Sequence, residues 1–231
     1  MKVRIQKYLS EQGILSRRTA EKYIKKGWIK VNGTTVTEMG LKIDPETDRV
    51  ELVEAAQEIA STHLYLAFHK PRGIVTNCPT PNEKEIKDLL PKSLQHVFAI
   101  GRLDKESEGL ILLTSDGIFA KNCLQSNPPH TRTYEVTIQH PLTDIQKGKL
   151  ETGMTLFGKK TKPLTIEFIA PKTFKMTMIE GKNRQIRRML QKVGHRVVKL
   201  KRLSFAHISL GKIKLGQFQK LTEKDIHKFS N

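Results

Sequence analysis

Gly101-Arg102-Leu103-Asp104-Lys105-Glu106-Ser107-Glu108-Gly109-Leu110 is the stretch on which the reading of this chain turns. An apolar run, Val97-Phe98-Ala99-Ile100, enters it. A second, Leu110-Ile111-Leu112-Leu113, leaves it toward Thr114-Ser115-Asp116-Gly117. Two buried segments are thus joined by a turn carrying Arg102, Asp104, Lys105, Glu106 and Glu108. Charges held on a rigid base between two strands are where catalytic groups tend to sit. Composition alone favours the plainer alternative, a solvated hairpin turn, so the rest of the chain has to decide.

The chain has 231 residues, enough for one large domain or a small and a medium one, and 37% are hydrophobic, enough for a real core. Its formal charge is +18. Such a balance favours a polyanionic partner, because each phosphate neutralised releases condensed counterions. No apolar stretch approaches the roughly 20 residues that span a bilayer. Met1 to Lys7 lacks the apolar core of a signal peptide, so a cytoplasmic protein is expected. Cys78 and Cys123 are far apart, and none of the eight histidines has a ligand-like spacing. Neither a disulfide, a metal site nor a cofactor is expected.

Residues 1–52 read as a small domain. Ser16 is placed to cap a helix whose apolar positions are Ala20, Tyr23 and Ile24. Arg18, Lys22 and Lys25 fall on its other side, with Arg17 and Lys26 beside them, and Gly27 ends it. Ile29 and Val31 then alternate with polar residues, Asn32-Gly33 signals a tight hairpin, and Thr34-Thr35-Val36 returns. The polar, alanine-rich stretch from Glu51 to about His63 reads as a linker, assigned to residues 53–62.

From residue 63 to 231, strand-like and helical runs mix without strict alternation, which predicts an α+β fold with a mixed or antiparallel sheet. Strands are expected at Leu64 to Phe68, Tyr134 to Ile138, Leu164 to Ile169, Phe174 to Ile179 and within Val197 to Leu210. Helices are expected at Glu83 to Leu90, Ile118 to Leu124, Asn183 to Val193 and Glu223 to Phe229. In the third of these helices Ile186, Met189, Leu190 and Val193 form a core stripe, while Arg184, Arg188 and Lys192 lie four apart on the opposite side. Arg187 sits on the flank, about 100° from the stripe centre. Lys182 to Arg202 holds nine basic residues and no acidic one, which reads as a phosphate-facing surface.

Taken together, these motifs resemble those of the RNA pseudouridine synthases, in the branch containing the ribosomal small-subunit synthase A and the large-subunit synthases B, E and F. The run from Gly101 to Gly117 meets every fixed position of that family's aspartate motif. Lys70-Pro71-Arg72-Gly73 resembles its lysine-proline turn. Arg132-Thr133-Tyr134 resembles its lysine-x-tyrosine motif with arginine first, and Glu180 to Met189 resembles its asparagine-arginine-glutamine helix start. Ser107 and Asn183-Arg184-Gln185 point to the F-type or B-type branch among the synthases of large ribosomal subunits. The front segment resembles the small alpha-L RNA-binding domain of ribosomal protein S4, through Arg4 to Ser10, Gly13 to Arg18 and Gly27 to Gly33.

The resemblance implies isomerisation of a uridine in RNA, in which the N1 glycosidic bond breaks and C5 bonds to the same ribose carbon. Asp104 would act either as nucleophile at C1′ or as the base that removes the 2′ hydrogen. An aspartate in a dry pocket needs an opposite charge to stay ionised, and that part falls to Arg187. Tyr134 would lie against the uracil; read without the resemblance, it is an ordinary core aromatic. Lys70, Arg102, Arg132, Arg184 and Arg188 are candidates to hold flanking phosphates, and Arg17, Arg18, Lys22 and Lys25 to bind RNA through the front domain. The expected partner is ribosomal RNA, most of all from the large subunit, bound by a monomer that needs no membrane. Rival readings are a synthase acting on transfer RNA, a non-catalytic ribosome-assembly factor and a basic membrane-surface protein.

Overall fold

The computed structural model describes residues 1–56 and 63–229, and its chain divides into two compact units. The first holds Met1–Tyr65 and Thr114–Asn122; the second holds Leu66–Leu113 and Cys123 onward.

In the first unit, Val3–Arg4 (β1) leads into helix Ile5–Glu11 (α1), and Arg17–Lys25 forms α2. Ser16 caps α2 as its residue type predicts: its Oγ accepts from the Thr19 amide at 3.1 Å. Gly27, at φ 67°, releases the chain from the helix. Ile29–Val31 (β2) and Thr34–Val36 (β3) form the expected hairpin, with Asn32 at φ 50° and Gly33 at φ 78° as a two-residue turn. Lys42–Ile43 (β4) pairs with β1. Ala20, Tyr23 and Ile24 of α2 are buried with Ile5, Leu9, Ile29 and Ile43, leaving Arg17, Arg18, Lys22 and Lys25 outside that core.

The expected linker starts too early. Val50–Leu52 (β5) pairs antiparallel with β2, Ile29 opposite Leu52, because its alternating residues continue the sheet. Ala56 is fully buried in the same core. The rest of the expected linker, residues 57–62, lies outside the described residues.

The second unit is built on a mixed sheet. Its strands are Tyr65–Lys70 (β6), Phe98–Ile100 (β7), Glu108–Thr114 (β8), Arg132–Ile138 (β9), Thr165–Ala170 (β12), Thr173–Met178 (β13), Val197–Phe205 (β14), Ile208–Ser209 (β15) and Phe218–Lys220 (β16). A separate hairpin of Thr155–Leu156 (β10) and Lys159–Lys160 (β11) lies outside this sheet. The order along the sheet is β12-β13-β9-β14-β8-β6-β16, with β7 on β8 and β15 on β14. The β14–β8 pair is parallel, and the β12–β13, β13–β9, β9–β14 and β6–β16 pairs are antiparallel. Helix Gly117–Gln125 (α3) belongs as far as Asn122 to the first unit, and the helices of the second are Asp144–Glu151 (α4), Gln185–Lys192 (α5) and Glu223–His227 (α6). Where a helix was expected from Glu83 to Leu90, only a 3₁₀ turn forms, at Ile86–Leu89. Pro91 follows at once and biases Leu90 away from helical angles. Within the described residues no helix is long and apolar enough to cross a membrane.

Candidate active site

Asp104 stands in the turn between β7 and β8, and the turn is pinned from several sides. Gly109 begins the pinning: at φ 112° it runs beside the Arg202 backbone, where a Cβ would collide with the Arg202 carbonyl oxygen and amide nitrogen. Only glycine permits the parallel β8–β14 approach there. On the other flank, the Thr76 hydroxyl donates to the Leu103 carbonyl at 2.7 Å and accepts from the Leu103 amide at 3.0 Å, both buried. The Gly73 amide reaches the Lys105 carbonyl at 2.8 Å. The backbone on both sides of Asp104 therefore has fixed partners, and little freedom is left to the carboxylate's position.

Lys70 supplies the deepest of these pins, and in doing so departs from its expected part. Its side chain is fully buried, and Nζ donates to the carbonyls of Pro71, Asp104 and Ser107 at 2.9, 3.2 and 2.8 Å. All three ammonium protons thus have backbone acceptors, and none is left for an RNA phosphate. Burial draws its pKa down to about 8, against the upward pull of Asp104, Glu106 and Glu108.

Two arginines face the carboxylate. The guanidinium of Arg187 places Nε 3.9 Å from Asp104 Oδ2, and that of Arg184 places Nη1 3.8 Å from the same oxygen. Arg187 also donates from Nη2 to the Glu106 carbonyl at 2.9 Å and the Ser107 hydroxyl at 3.3 Å. Its Nε is buried without a hydrogen-bond partner, so Asp104 is the acceptor it faces. Burial lowers the Arg187 pKa from its ordinary value and Arg184 adds to this, while Asp104 and Glu106 oppose it. Arg184 was expected among the phosphate contacts on the far side of the helix. It lies instead just before α5, at φ 51°, which breaks the helical spacing and turns its side chain to Asp104.

The loop carrying Arg184 is held by two residues of the Glu180 to Met189 motif to which the sequence reading gave no part of their own. Gln185, nearly buried, donates to Glu180 Oε1 at 2.5 Å and accepts from the Lys182 amide at 2.9 Å. Glu180 Oε1 also accepts from the Lys162 amide at 3.0 Å. A polar residue at the first position of a strongly amphipathic helix, close in sequence to a glutamate, was the available signal.

Arg102, Leu103, Asp104, Ser107, Tyr134, Met178, Gly181, Lys182, Arg184, Gln185, Ile186, Arg187 and Leu200 line one cleft of about 80 Å³. Tyr134, on β9 between Met176 and Arg202 of the neighbouring strands, is 8% exposed at its wall. The cleft therefore combines a carboxylate, two guanidinium groups and an apolar wall of Leu103, Met178, Ile186 and Leu200. It offers a flat, partly apolar guest an anionic oxygen flanked by two cations.

The remaining basic candidates divide. Arg102 is exposed at the rim. Arg132 is half-buried: it donates to the His130 carbonyl at 2.9 Å and packs 4.9 Å from the Phe205 ring, and burial lowers its pKa. Structure occupies it before any phosphate does. Arg188 is exposed on α5. The stretch Lys182 to Arg202 is likewise not one phosphate-facing surface. Arg202 is 4% exposed and donates to the Leu110 carbonyl at 2.6 Å, and Lys199 pairs with Glu108 at 3.6 Å. Strand alternation inside a sheet sends part of a basic run inward, which a count of charges does not register.

Comparison with known proteins agrees with this geometry. The family model of RNA pseudouridylate synthases matches residues 64–192, and the S4 domain model matches residues 3–50. The dual-specificity RNA pseudouridine synthase RluF of Escherichia coli (strain K12) is 37% identical over 227 residues, covering 97% of this chain and 77% of that protein. The ribosomal large subunit pseudouridine synthase B of Bacillus subtilis (strain 168) is 34% identical over 230 residues, covering 96% and 93%. A crystal structure of a pseudouridylate synthase superposes with a TM-score of 0.72 at 27% identity, covering 98% of this chain and 99% of that one. With Asp104 in its turn, two arginines upon it and an S4 domain ahead of them, the chain belongs to the RNA pseudouridylate synthase family.

Proposed function

We propose that this protein converts a uridine of large-subunit ribosomal RNA to pseudouridine at the Asp104 cleft. The observation that carries the reading is the Asp104 carboxylate facing Arg184 and Arg187 in a cleft whose wall includes Tyr134. The choice of ribosomal RNA from the large subunit rests on the Bacillus subtilis relative, whose description names it.

In this reading residues 1–52 bind structured RNA through Arg17, Arg18, Lys22 and Lys25, and residues 63–231 carry out the chemistry. The target base leaves its stack, at a cost of a few kcal/mol, and enters against Tyr134. Asp104 then either attacks C1′ or removes the 2′ hydrogen; both routes need an anionic oxygen held still at the ribose. Arg187 keeps the charge pair and fixes the turn through Glu106 and Ser107. The freed uracil turns over and C5 bonds to the ribose carbon, which displaces the Asp104 carboxylate on the first route and is accompanied by return of the 2′ hydrogen to C2′ on the second; the C5 proton passes to N1 with Tyr134 beside it. Arg102 and Arg188 hold flanking phosphates.

Incubating wild type and Asp104→Asn with unmodified large-subunit ribosomal RNA, and separately with bulk transfer RNA transcripts, tests this. Pseudouridine is mapped by carbodiimide-blocked primer extension. A new stop in the ribosomal RNA, absent with the variant, is the expected result; wild-type turnover by Asp104→Asn would remove Asp104 as the reacting group. The Escherichia coli relative is described as dual-specificity, which is why the transfer RNA arm belongs in the same experiment.

A further inference from the structure

Phe157 is in an unusual place for a phenylalanine. It is 59% exposed, and it occupies the first position of the two-residue turn between β10 and β11 at φ 52°, followed by Gly158 at φ 74°. Such turns favour asparagine or aspartate there, and a bulky residue in this backbone region is strained. A strained residue kept at the surface points to a use for its side chain.

The ring is also held in position. Leu156, beside it, is 4% exposed and anchors the hairpin. Lys192 of α5 donates to the Thr155 carbonyl at 2.7 Å, tying the hairpin to the helix. The Arg188 guanidinium carbon lies 4.6 Å from the Phe157 ring centroid. Leu156, Phe157, Arg188, Gln191 and Lys192 line an open cleft of about 390 Å³, and the exposed Lys159 and Lys160 follow in the hairpin.

We propose that this cleft is a second RNA subsite, in which one unpaired base of the substrate stacks on Phe157 beside the Arg188 plane. An aromatic face, a guanidinium plane and surrounding lysines are the elements that hold splayed bases in single-stranded RNA. Gln191 also lines the cleft, and its amide carries both donors and an acceptor suited to a base edge. Arg188 lies one helical turn, roughly 6 Å along the axis, from Arg184 at Asp104. The inference rests on the RNA-modifying reading above for the identity of the strand.

Phe157→Trp in the full-length protein puts a fluorophore at the subsite, with wild type, whose single tryptophan is Trp28, as reference. Its added emission should be quenched by a short single-stranded oligoribonucleotide and left unchanged by a blunt RNA duplex or by heparin. Phe157→Asn suits the positive φ, so it should keep the wild-type melting temperature and bind the oligonucleotide about 5- to 150-fold more weakly, the range of one lost base stack. Equal quenching by heparin, no quenching at all, or unchanged affinity of Phe157→Asn would each overturn the proposal. Pseudouridine formation is scored separately on the same preparations. Quenching without turnover in any RNA would sink the functional reading and leave the subsite standing; turnover without quenching would do the reverse.

Discussion

Replacing Arg187 by lysine separates two things that the arginine does. Lysine keeps a cation on the helix facing Asp104. It loses the planar fork that reaches Asp104 with Nε while Nη2 holds the Glu106 carbonyl and the Ser107 hydroxyl. An ammonium has a single nitrogen, which cannot stand in the Nε and the Nη2 positions at once. A hydrogen bond from a charged group contributes about 1.5–3 kcal/mol, and the Arg187 side chain is only 14% exposed, so that range applies with little screening. If loss of one such bond is felt wholly as misplacement of Asp104 in the transition state, the rate falls roughly 10- to 150-fold. The number of cations near the RNA is unchanged, so affinity should stay close to wild type. Single-turnover pseudouridine formation at saturating enzyme gives the rate, and filter binding of the same RNA gives the affinity. Arg187→Met, which loses both charge and fork, should be slower still. A lysine variant with wild-type rate but weakened RNA binding would refute the reasoning, because it would make Arg187 a phosphate contact rather than the residue that positions Asp104.

Thr76→Val leaves the Leu103 amide buried and unpaired, at about 1–3 kcal/mol; turnover should fall and Thr76→Ser should restore it, and a serine variant as slow as the valine one would count against the pin. Gly109→Ala combines a disfavoured φ with backbone contact at Arg202, and about 3 kcal/mol of destabilisation should lower the melting temperature by roughly 6–12 °C; an unchanged transition would contradict the close approach of β8 and β14. Lys70 has a folded-state pKa near 8, below its unfolded value, so between about pH 8 and 10.5 the unfolded chain binds the extra proton. Stability of wild type relative to Lys70→Met should therefore be flat below pH 8 and rise above it; parallel denaturation profiles across that window would exclude a buried, proton-releasing lysine. RNA affinity should fall steeply with salt, with a log–log slope of about 0.7 to 0.9 per phosphate contact; a flat response would remove the electrostatic basis of binding.

The parts of the fold that were legible in sequence are those decided locally. Asn32-Gly33 needs nothing distant to make its turn, Ser16 caps its helix across three residues, and the stripe Ile186, Met189, Leu190 faces inward as its spacing requires. The charged turn at Asp104 was legible for the same reason, since apolar strands bound it on both sides. Helix α4 was missed although its start is written as a capping box: the Thr143 hydroxyl accepts from the Gln146 amide and the Gln146 side chain returns to the Thr143 amide. Its weak apolar face hid it. Thr76 and Lys70 were illegible in another sense. Their partners include groups 27 to 37 residues away, and nothing in the local pattern tells a lysine that will be buried under three carbonyls from one that will meet a phosphate.

The arginines of Arg184-Gln185-Ile186-Arg187-Arg188 show how one backbone angle redistributes function. Extended helical spacing puts Arg184 and Arg188 on one face, opposite the core, as a pair of equivalent phosphate contacts. The helix begins at Gln185, and Arg184 before it is left-handed, so the pair is broken. Arg184 turns to Asp104, Arg187 on the flank joins it there, and Arg188 alone remains on the outer face against Phe157. Three cations within five residues thus divide between two environments, two at the carboxylate and one on the outer face. Substituting a helix-favouring residue such as alanine for Asn183, to start the helix before Arg184, should return Arg184 to the outer face and remove it from Asp104. Turnover should then fall while RNA affinity holds or rises, because the cation is moved rather than lost. If turnover and affinity instead fall together, the left-handed residue is not what assigns Arg184 to the carboxylate.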